Sequence, residues 1–385
     1  MRIVLTDPGG YTPPYDHCLS AALARRGHEV ELLTCPSRFG LPPQPDGYRR
    51  HELFFSLTSR TFRQAPRSRL RLLTKAVEYV PSVARLLRRI EALDPDVVHI
   101  QWTVLPRLDV RWLGAVASRR LTVLTAHDVR PRRPRDLGAW GDILRRVDRV
   151  VVHSETAVRD LAELGVDPRR VVAIRHPVFA AAPGKTLGPP QGSTLLFFGL
   201  LRSYKGLETL VAALGLVVER VPEARLVVAG DPMESVQPVR ELADRLDLTG
   251  KIEWRLGFVP EQKVTALMQS ATVVVLPYRD ASASGVLATA LGHHRPVVVS
   301  DVGSMGQLVR EFGAGLVVPA EDATALASAC VSLLTERDDL DLCARGARAA
   351  ASALTWDDAA EAHERVYGHA LREHARGTSA SVCRS

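Results

Sequence analysis

Short apolar, β-branched runs alternate along this chain with longer stretches whose apolar positions recur every three or four residues. The first kind reads as strand and the second as amphipathic helix. In the first half the pattern predicts strands at Arg2–Thr6, Val30–Thr34, Val97–Ile100, Leu121–Thr125, Val150–His153 and Val171–Ile174. Between them it predicts helices at about Tyr15–Arg26, Arg67–Leu93, Asp109–Arg119, Asp136–Val147 and Glu155–Leu164. The strands are apolar on both faces, as in a parallel sheet covered by helices, so this half reads as a doubly wound α/β unit. Pro177 to Pro190, rich in Ala, Pro and Gly, breaks the pattern and reads as an interdomain linker. A second alternating unit follows, with strands at Thr194–Phe198, Arg225–Ala229, Ile252–Arg255, Thr272–Leu276, Pro296–Ser300 and Gly315–Val318. Its helices read at about Gly206–Arg220, Ser235–Leu246, Pro260–Gln269, Ser284–Gly292, Ser304–Phe312 and Glu321–Thr335. Further helices cover Asp338–Ala351 and Trp356–Leu371, and Gly377 to Ser385 reads as a frayed end.

Composition agrees with two globular domains. The 385 residues exceed one ordinary core. Hydrophobic residues make up 46% and charged residues 24%. No apolar run reaches the roughly 20 residues that span a bilayer. The first strand begins at Arg2, so no leader peptide is expected ahead of it. Cys18, Cys35, Cys330, Cys343 and Cys383 are odd in number and scattered, which argues against a disulfide framework and a zinc site. The expected compartment is the reducing cytoplasm.

Charge changes the picture because it is uneven. The net charge is +7, yet residues 1–185 carry an excess of twelve positive charges and the remainder an excess of five negative ones. One dense stretch holds Arg60, Arg63, Arg67, Arg69, Arg71 and Lys75; another holds Arg130, Arg132, Arg133 and Arg135, with Arg145 and Arg146 beyond. Such stretches attract phosphates or anionic lipid headgroups. The plainer reading is that Arg replaces Lys throughout, since Lys occurs only at positions 75, 185, 205, 251 and 263. No interleaved aromatics or recognised binding module accompany the charge, so nucleic acid is not an expected partner.

The candidate chemistry lies at strand ends, where open α/β sheets bind ligands. Phe197-Phe198-Gly199-Leu200-Leu201-Arg202-Ser203-Tyr204-Lys205-Gly206 runs from an apolar strand through a glycine turn to two cations and a helix start. Two cations beside a helix start suit a diphosphate, though on their own they read first as solvated loop charges. Asp280-Ala281-Ser282-Ala283-Ser284-Gly285-Val286 opens a helix with small residues and free backbone N–H groups, an anion nest or a routine serine cap. Asp7-Pro8-Gly9-Gly10 lets backbone approach a ligand, but is not the dinucleotide fingerprint. Ala126-His127-Asp128 closes the fourth strand, where His127 can bond a substrate hydroxyl and Asp128 can orient the ring or cap the loop. His99, His153 and His176 read as mostly structural, having no metal spacing.

Taken together, these segments resemble the two-Rossmann-domain (GT-B) glycosyltransferases of the large retaining family 4. The resemblance rests on the Gly-Gly loop, LARRGHEVELLT, TAHD, FFGLLRSYKGLETLVAAL, LVVAGD, SGVLATALGHHRPVVVSDVGS and TWDDAAEAHERVY, in order from Met1 to about Tyr367. It implies two Rossmann-like doubly wound domains facing a cleft: residues 1–180 for the acceptor, 193–355 for the nucleotide-sugar donor, and a helix at 356–376 crossing back onto the N-domain. Arg202 and Lys205 would bind the donor diphosphate, and backbone at Ser284, Gly285 and Val286 would hold its oxygens. Gly10 would approach diphosphate and sugar, and His127 would contact the transferred sugar. Gly230 and Asp231 would end a strand on the donor side, and Phe258 and Val259 would flank the nucleobase.

One departure stands out. The family often carries two Glu residues separated by seven others, and aligned on Pro296-Val297-Val298 those places are Ala281 and Thr289. Thr289 would offer the ribose one hydroxyl. The chain resembles a branch in which Ser-Gly-Val replaces the acidic pattern. The implied reaction is metal-independent, retaining hexosyl transfer from a nucleoside diphosphate sugar, UDP- or GDP-linked, with no cofactor. The implied acceptor is a glycan, a lipid-linked group or a small molecule, in polysaccharide, glycolipid or natural-product synthesis. The Arg stretches add an anionic membrane surface, and so a cytoplasmic protein peripheral to the inner face of the membrane, with His51 to Lys75 as acceptor loop and membrane-contact helix. Two alternatives remain open at this point: an inactive GT-B partner subunit, and another sugar-nucleotide enzyme such as a phosphorylase or epimerase.

Overall fold

The computed structural model describes residues 1–37, 42–62, 69–131, 134–181 and 187–382. Arg63, Arg67, Arg132, Arg133, Lys185 and Cys383, part of the Pro177–Pro190 segment, and the side chain of Arg69 lie outside the described residues. The chain forms two compact units, Met1–Arg175 with Trp356–Ser385, and His176–Thr355.

In the first unit the strands are β1 (Arg2–Asp7), β2 (Glu29–Thr34), β3 (Arg49–Glu52), β4 (Val97–Ile100), β5 (Leu121–Thr125), β6 (Arg149–Val152) and β7 (Val171–Ala173). They pair in the order β3-β2-β1-β4-β5-β6-β7, all parallel. The connecting helices are α1 (Pro13–Arg25), α2 (Ser56–Thr61), α3 (Arg69–Leu93), α4 (Pro106–Ala117), α5 (Leu137–Arg146) and α6 (Glu155–Glu163). The apolar faces of β1 and β4–β6 are buried beneath them, with Leu86, Ile90, Trp112, Leu113, Ile143 and Leu161 filling one face.

Strand β3 is not among the strands the apolar pattern predicts. Its sequence, Arg49-Arg50-His51-Glu52, has no apolar residue. It sits at the sheet edge, where backbone pairing to β2 needs no buried side chains. Its polar groups are satisfied by Glu31 on β2, which bonds Arg49 Nε at 2.9 Å and lies 3.0 Å from His51 Nε2.

The second unit has six strands among the described residues: β8 (Thr194–Phe198), β9 (Arg225–Gly230), β10 (Ile252–Leu256), β11 (Val273–Leu276), β12 (Val297–Ser300) and β13 (Gly315–Val318). Their order is β10-β9-β8-β11-β12-β13, again all parallel. Helices α7 (Leu207–Arg220), α8 (Gln237–Arg245), α9 (Glu261–Ser270), α10 (Gly285–Gly292), α11 (Met305–Phe312), α12 (Ala323–Thr335) and α13 (Arg337–Ala353) cover both faces. Val178 N donates to Leu354 O at 2.9 Å and Gly188 N to Gln269 Oε1 at 3.0 Å, so both described ends of the Pro-rich segment are tied to this unit.

The last helix, α14 (Trp356–Val382), belongs to the first unit. Tyr367 and Ala360 are fully buried there, and Arg25 and Arg26 of the α1 end pair with Asp357 and Glu364. The helix continues through the stretch from Gly377 that reads in the sequence as frayed, and Val382 is its last residue.

Both sheets reverse strand order once, between β1 and β4 and between β8 and β11. Such reversals leave a crevice at the carboxyl ends of the strands, because the flanking connections leave to opposite faces.

Candidate functional site

The second unit's reversal is built from glycines and cations. Gly199 follows β8 with φ +107, and Gly230 ends β9 with φ +148. A Cβ on Gly230 would stand 1.7 Å from Gly199 O, so only glycine lets the two strand ends come this close. Gly206 precedes α7 with φ +69, and a Cβ there would stand 1.9 Å from Pro277 O. These approaches fold the Arg202–Lys205 turn down against the end of β11.

The result brings together residues that lie some eighty positions apart. A Cβ on Gly199 would lie 3.1 Å from Lys205 Nζ and 3.0 Å from Val286 Cγ2, in the first turn of α10. Ser284 caps that helix by accepting from Leu287 N at 3.2 Å, leaving the N–H groups of Gly285 and Val286 at the helix start. Lys205 is only 6% exposed. Its Nζ lies 5.1 Å from the centroid of the Tyr278 ring. Burial, rather than Arg202 beside it, is the main cause that pushes the ammonium down to about 8. Among the described residues no carboxylate pairs with Lys205 or Arg202.

The other sequence candidates of this unit lie along the same strand edge. Asp231 is buried after β9, and its carbonyl accepts from Leu201 N at 2.9 Å. Phe258 is 46% exposed on the loop after β10, next to Gly257, whose N–H donates to Gly230 O at 2.9 Å. Val259 packs against the core. Thr289 lies one turn into α10, and its hydroxyl donates to Gly285 O at 2.7 Å.

The first unit's reversal is organised by Asp7 at the end of β1. Its carboxylate accepts from Gly9 N at 3.1 Å, Tyr11 N at 2.6 Å and Thr12 N at 3.2 Å, which shapes the loop carrying Gly10. Gly10 has φ +57, and a Cβ there would press on Cys35 Sγ at 2.9 Å. Burial raises the pKa values of Asp7 and Asp16, and the nearby Asp7 charge raises Asp16 further.

His127 stands in the same cluster. Its ring stacks on Trp102 with centroids 5.0 Å apart and planes 9° from parallel. Trp102 Nε1 donates to Thr12 Oγ1 at 2.8 Å, which ties the histidine to the glycine loop. Tyr15 of α1 meets His127 edge-on at 4.7 Å. Asp7 opens the glycine loop that the sequence marks, but Tyr15, Gln101 and Trp102 are members of this site that no sequence motif marks. Their only sequence signal is position, one or two residues past a strand end or at a helix start. His99 and His153, which read as structural, belong to the same network.

Several arginines of this unit are paired with acids. Arg89 and Arg49 bond Glu31, Arg145 bonds Asp142, and Arg149 bonds Glu373. At the start of α3 and on α2 before it, the surface is different. Leu57, Leu70, Leu73, Val77 and Val80 are exposed, Val77 to 79%, and among the described residues no ion pair engages Arg60 or Arg71 beside them. No helix among the described residues is long and apolar enough to cross a membrane.

Comparison with known proteins agrees with this architecture. Residues 17–180 match the family model described as Glycosyltransferase Family 4, and residues 192–336 match that described as Glycosyl transferases group 1. A D-inositol 3-phosphate glycosyltransferase of Acidothermus cellulolyticus is 28% identical over 95% of this chain and 87% of its own. A phosphatidyl-myo-inositol mannosyltransferase of Mycolicibacterium smegmatis is 30% identical over 63% of each chain. Among solved structures, a sucrose-phosphate synthase from Thermosynechococcus elongatus superposes with a TM-score of 0.76 at 20% identity, covering 97% of this chain and all of that one. The chain therefore belongs to the group 1, family 4 glycosyltransferases: it has the two-domain GT-B fold and is an enzyme that transfers sugar, and the inactive-partner reading is not favoured.

Proposed function

We propose that this glycosyltransferase moves a sugar from a UDP- or GDP-sugar to an acceptor hydroxyl with retention at the anomeric carbon. The second unit holds the donor and the first unit the acceptor. The observation that carries this reading is the buried Lys205, with no carboxylate paired to it among the described residues and Arg202 beside it, at a strand reversal and against a helix start. A buried cation without a counter-charge is costly, and a diphosphate bound there offsets that cost with charge-assisted hydrogen bonds.

The barrier is departure of the nucleoside diphosphate. Negative charge grows on its phosphate as the bond to the anomeric carbon breaks. Arg202, Lys205 and the N–H groups of Gly285 and Val286 meet that charge without reorganising, and one such group contributes about 3–4 kcal/mol. The acceptor oxygen forms the new bond on the same face, and its proton passes to the leaving phosphate. Gly230 and Asp231 border the diphosphate, Phe258 and Val259 flank the base, and Gly10 and His127 serve the sugar.

For the acceptor we favour a phosphorylated cyclitol or its lipid form, because both curated relatives are named for inositol phosphate chemistry. A lipid-borne acceptor fits the exposed α3 stripe of Leu70, Leu73, Val77 and Val80 beside Arg60, Arg71 and Lys75. Such a face suits an anionic bilayer, which supports the reading of a cytoplasmic enzyme at the inner face of the membrane.

The test is thermal stabilisation by UDP, GDP, ADP and TDP and their sugars, followed by transfer assays with the nucleotide that stabilises. One nucleotide should stabilise the protein, and Arg202→Ala and Lys205→Ala should each abolish that and lower turnover about a hundredfold or more. Full stabilisation and turnover in Lys205→Ala would sink the reading.

A further inference from the structure

Four consecutive strands of the first sheet end in polar groups that meet side by side. Gln101 follows β4, His127 follows β5, His153 follows β6 and the Ile174 carbonyl follows β7. His153 Nδ1 lies 3.1 Å from Ile174 O, and His153 Nε2 lies 3.2 Å from His127 Nδ1. His127 Nε2 lies 3.0 Å from Gln101 Oε1. The other end of that amide, Nε2, is 3.2 Å from His99 Nε2, which Thr125 Oγ1 also reaches at 2.7 Å. His99 Nδ1 is 2.6 Å from the hydroxyl of Tyr367 on α14.

With the Gln101 amide oxygen facing His127, the protons along this row follow from which atoms can only accept. A carbonyl oxygen only accepts, so His153 Nδ1 carries a hydrogen. Burial pushes the His153 imidazole down to about 4, so near neutral pH its Nε2 is a lone pair. His127 Nδ1 must then be the donor. The Gln101 oxygen also only accepts, so His127 Nε2 carries a hydrogen too, and the ring is an imidazolium. The parallel indole face of Trp102 favours that cation. With the amide turned over, its NH2 would meet a neutral His127. Its oxygen would then meet His99, whose hydrogen would have to move from Nδ1 to Nε2 while Tyr367 turned from acceptor to donor. One amide thus links the charge on His127 to the tautomer of His99.

We propose that Gln101 and His153 are positioning residues that hold His127 as a doubly donating imidazolium at the strand end. The groups that face this ring are His153 past β6, Tyr15 of α1 with Asp16 next to it, and Asp128 next in the chain. His363 of α14 lies beyond His153, and Asp7 beyond Asp16. The consequence for turnover rests on the reading of His127 as the residue that serves the sugar; the proton arrangement does not, and the two are measured separately.

Long-range 1H–15N spectra of the 15N-labelled full chain report both nitrogens of every histidine, with His127 assigned by its loss in His127→Asn. The expected wild-type signature is a protonated Nδ1 from pH 5 to 9 and a doubly protonated ring at pH 6.5. Gln101→Glu, nearly isosteric, should extend the charged range upward by at least one pH unit, and Gln101→Leu should contract it. His153→Phe should let the neutral Nε2–H tautomer appear. A neutral Nε2–H ring in the wild type, or a charged range that ignores Gln101, overturns the proton row. In transfer assays the corresponding limb of the kcat/KM pH profile should move with the spectroscopic range, and a limb that stays put while the range moves overturns the positioning role.

Discussion

In the first unit Glu31 lies buried among Arg49, His51 and Arg89, whereas in the second Lys205 lies buried with no carboxylate paired to it among the described residues. The first unit carries the positive excess and the second the negative one, so net charge points away from the proposed donor site. A surface arginine that already has its acid offers an anion little, because the pair is nearly neutral and well solvated. A desolvated ammonium held between a glycine turn and a helix start offers much more, because the charge is confined and water is partly excluded. On the proposed reading, uncompensated burial, not the count of cations, marks the anion site.

The hardest test of this comparison is Lys205→Met. Lys205 has a folded-state value near 8 and an unfolded one near 10.5. Below pH 8 both states are protonated and the folded ammonium is a standing cost. Between about 8 and 10.5 the folded chain has shed the proton and the unfolded chain has not, so stability rises with pH across that window. Met fills the same space without the charge. At pH 7 the nucleotide-free variant should melt a few degrees higher than the wild type, while nucleotide affinity falls about a hundredfold. A variant less stable than the wild type would mean that Lys205 has a structural partner and that the contrast between the units is false.

The next largest effect concerns α2 and the start of α3, where among the described residues no ion pair engages Arg60 or Arg71. Leu73→Asp with Val77→Asp replaces two exposed apolar residues of α3 by acids. Each charge near an anionic bilayer is worth about 1 kcal/mol, so partition onto phosphatidylserine or phosphatidylinositol vesicles should fall about thirtyfold. Folding and nucleotide-induced stabilisation should be unchanged, since neither residue packs inside. Sedimentation with vesicles checks this, and unaltered partition would leave the stripe without a lipid role.

Affinity for the nucleotide should also fall with alkaline pH. Binding needs the charged Lys205, so one pH unit above 8 the apparent Kd should be about tenfold weaker than at pH 7. Titration calorimetry near pH 8 should show proton uptake on binding. A flat profile to pH 9 would place the diphosphate's charge contacts elsewhere, on Arg202 and the backbone alone.

How much of this was legible beforehand differs between the units for the same physical reason. The apolar strands of both sheets announce themselves, because burial on both faces demands a continuous apolar run. Arg49–Glu52 does not, since an edge strand is held by backbone bonds and its side chains are satisfied by Glu31. On the second unit's edge, the glycines and cations near Gly199 are close in sequence and read as one motif. On the first, Asp7, Tyr15, Gln101, Trp102, His127 and His153 come from four separate stretches, at or following the ends of β1, β4, β5 and β6. Only the parallel sheet sets them side by side, and a hydrogen-bond row perpendicular to the strands has no periodicity along the chain.

Thr289 supplies the smallest and most discriminating prediction. In the sequence it stands where family members often carry a ribose-binding acid, and its hydroxyl looked like a partial replacement. In the structure that hydroxyl donates to Gly285 O, four residues back in α10, a bond that helix-interior threonines make for themselves. A spent donor leaves the oxygen only lone pairs to offer. If the second unit binds nucleotide through charge and backbone, Thr289→Val should change Kd for the ribonucleotide by less than about twofold and stability by less than about 1 kcal/mol. A fivefold loss for the ribonucleotide, with none for its 2′-deoxy counterpart, would mean that Thr289 accepts a hydrogen bond from the ribose after all. The anion site would then be a nucleoside site as well, and the second unit's edge would read more than charge.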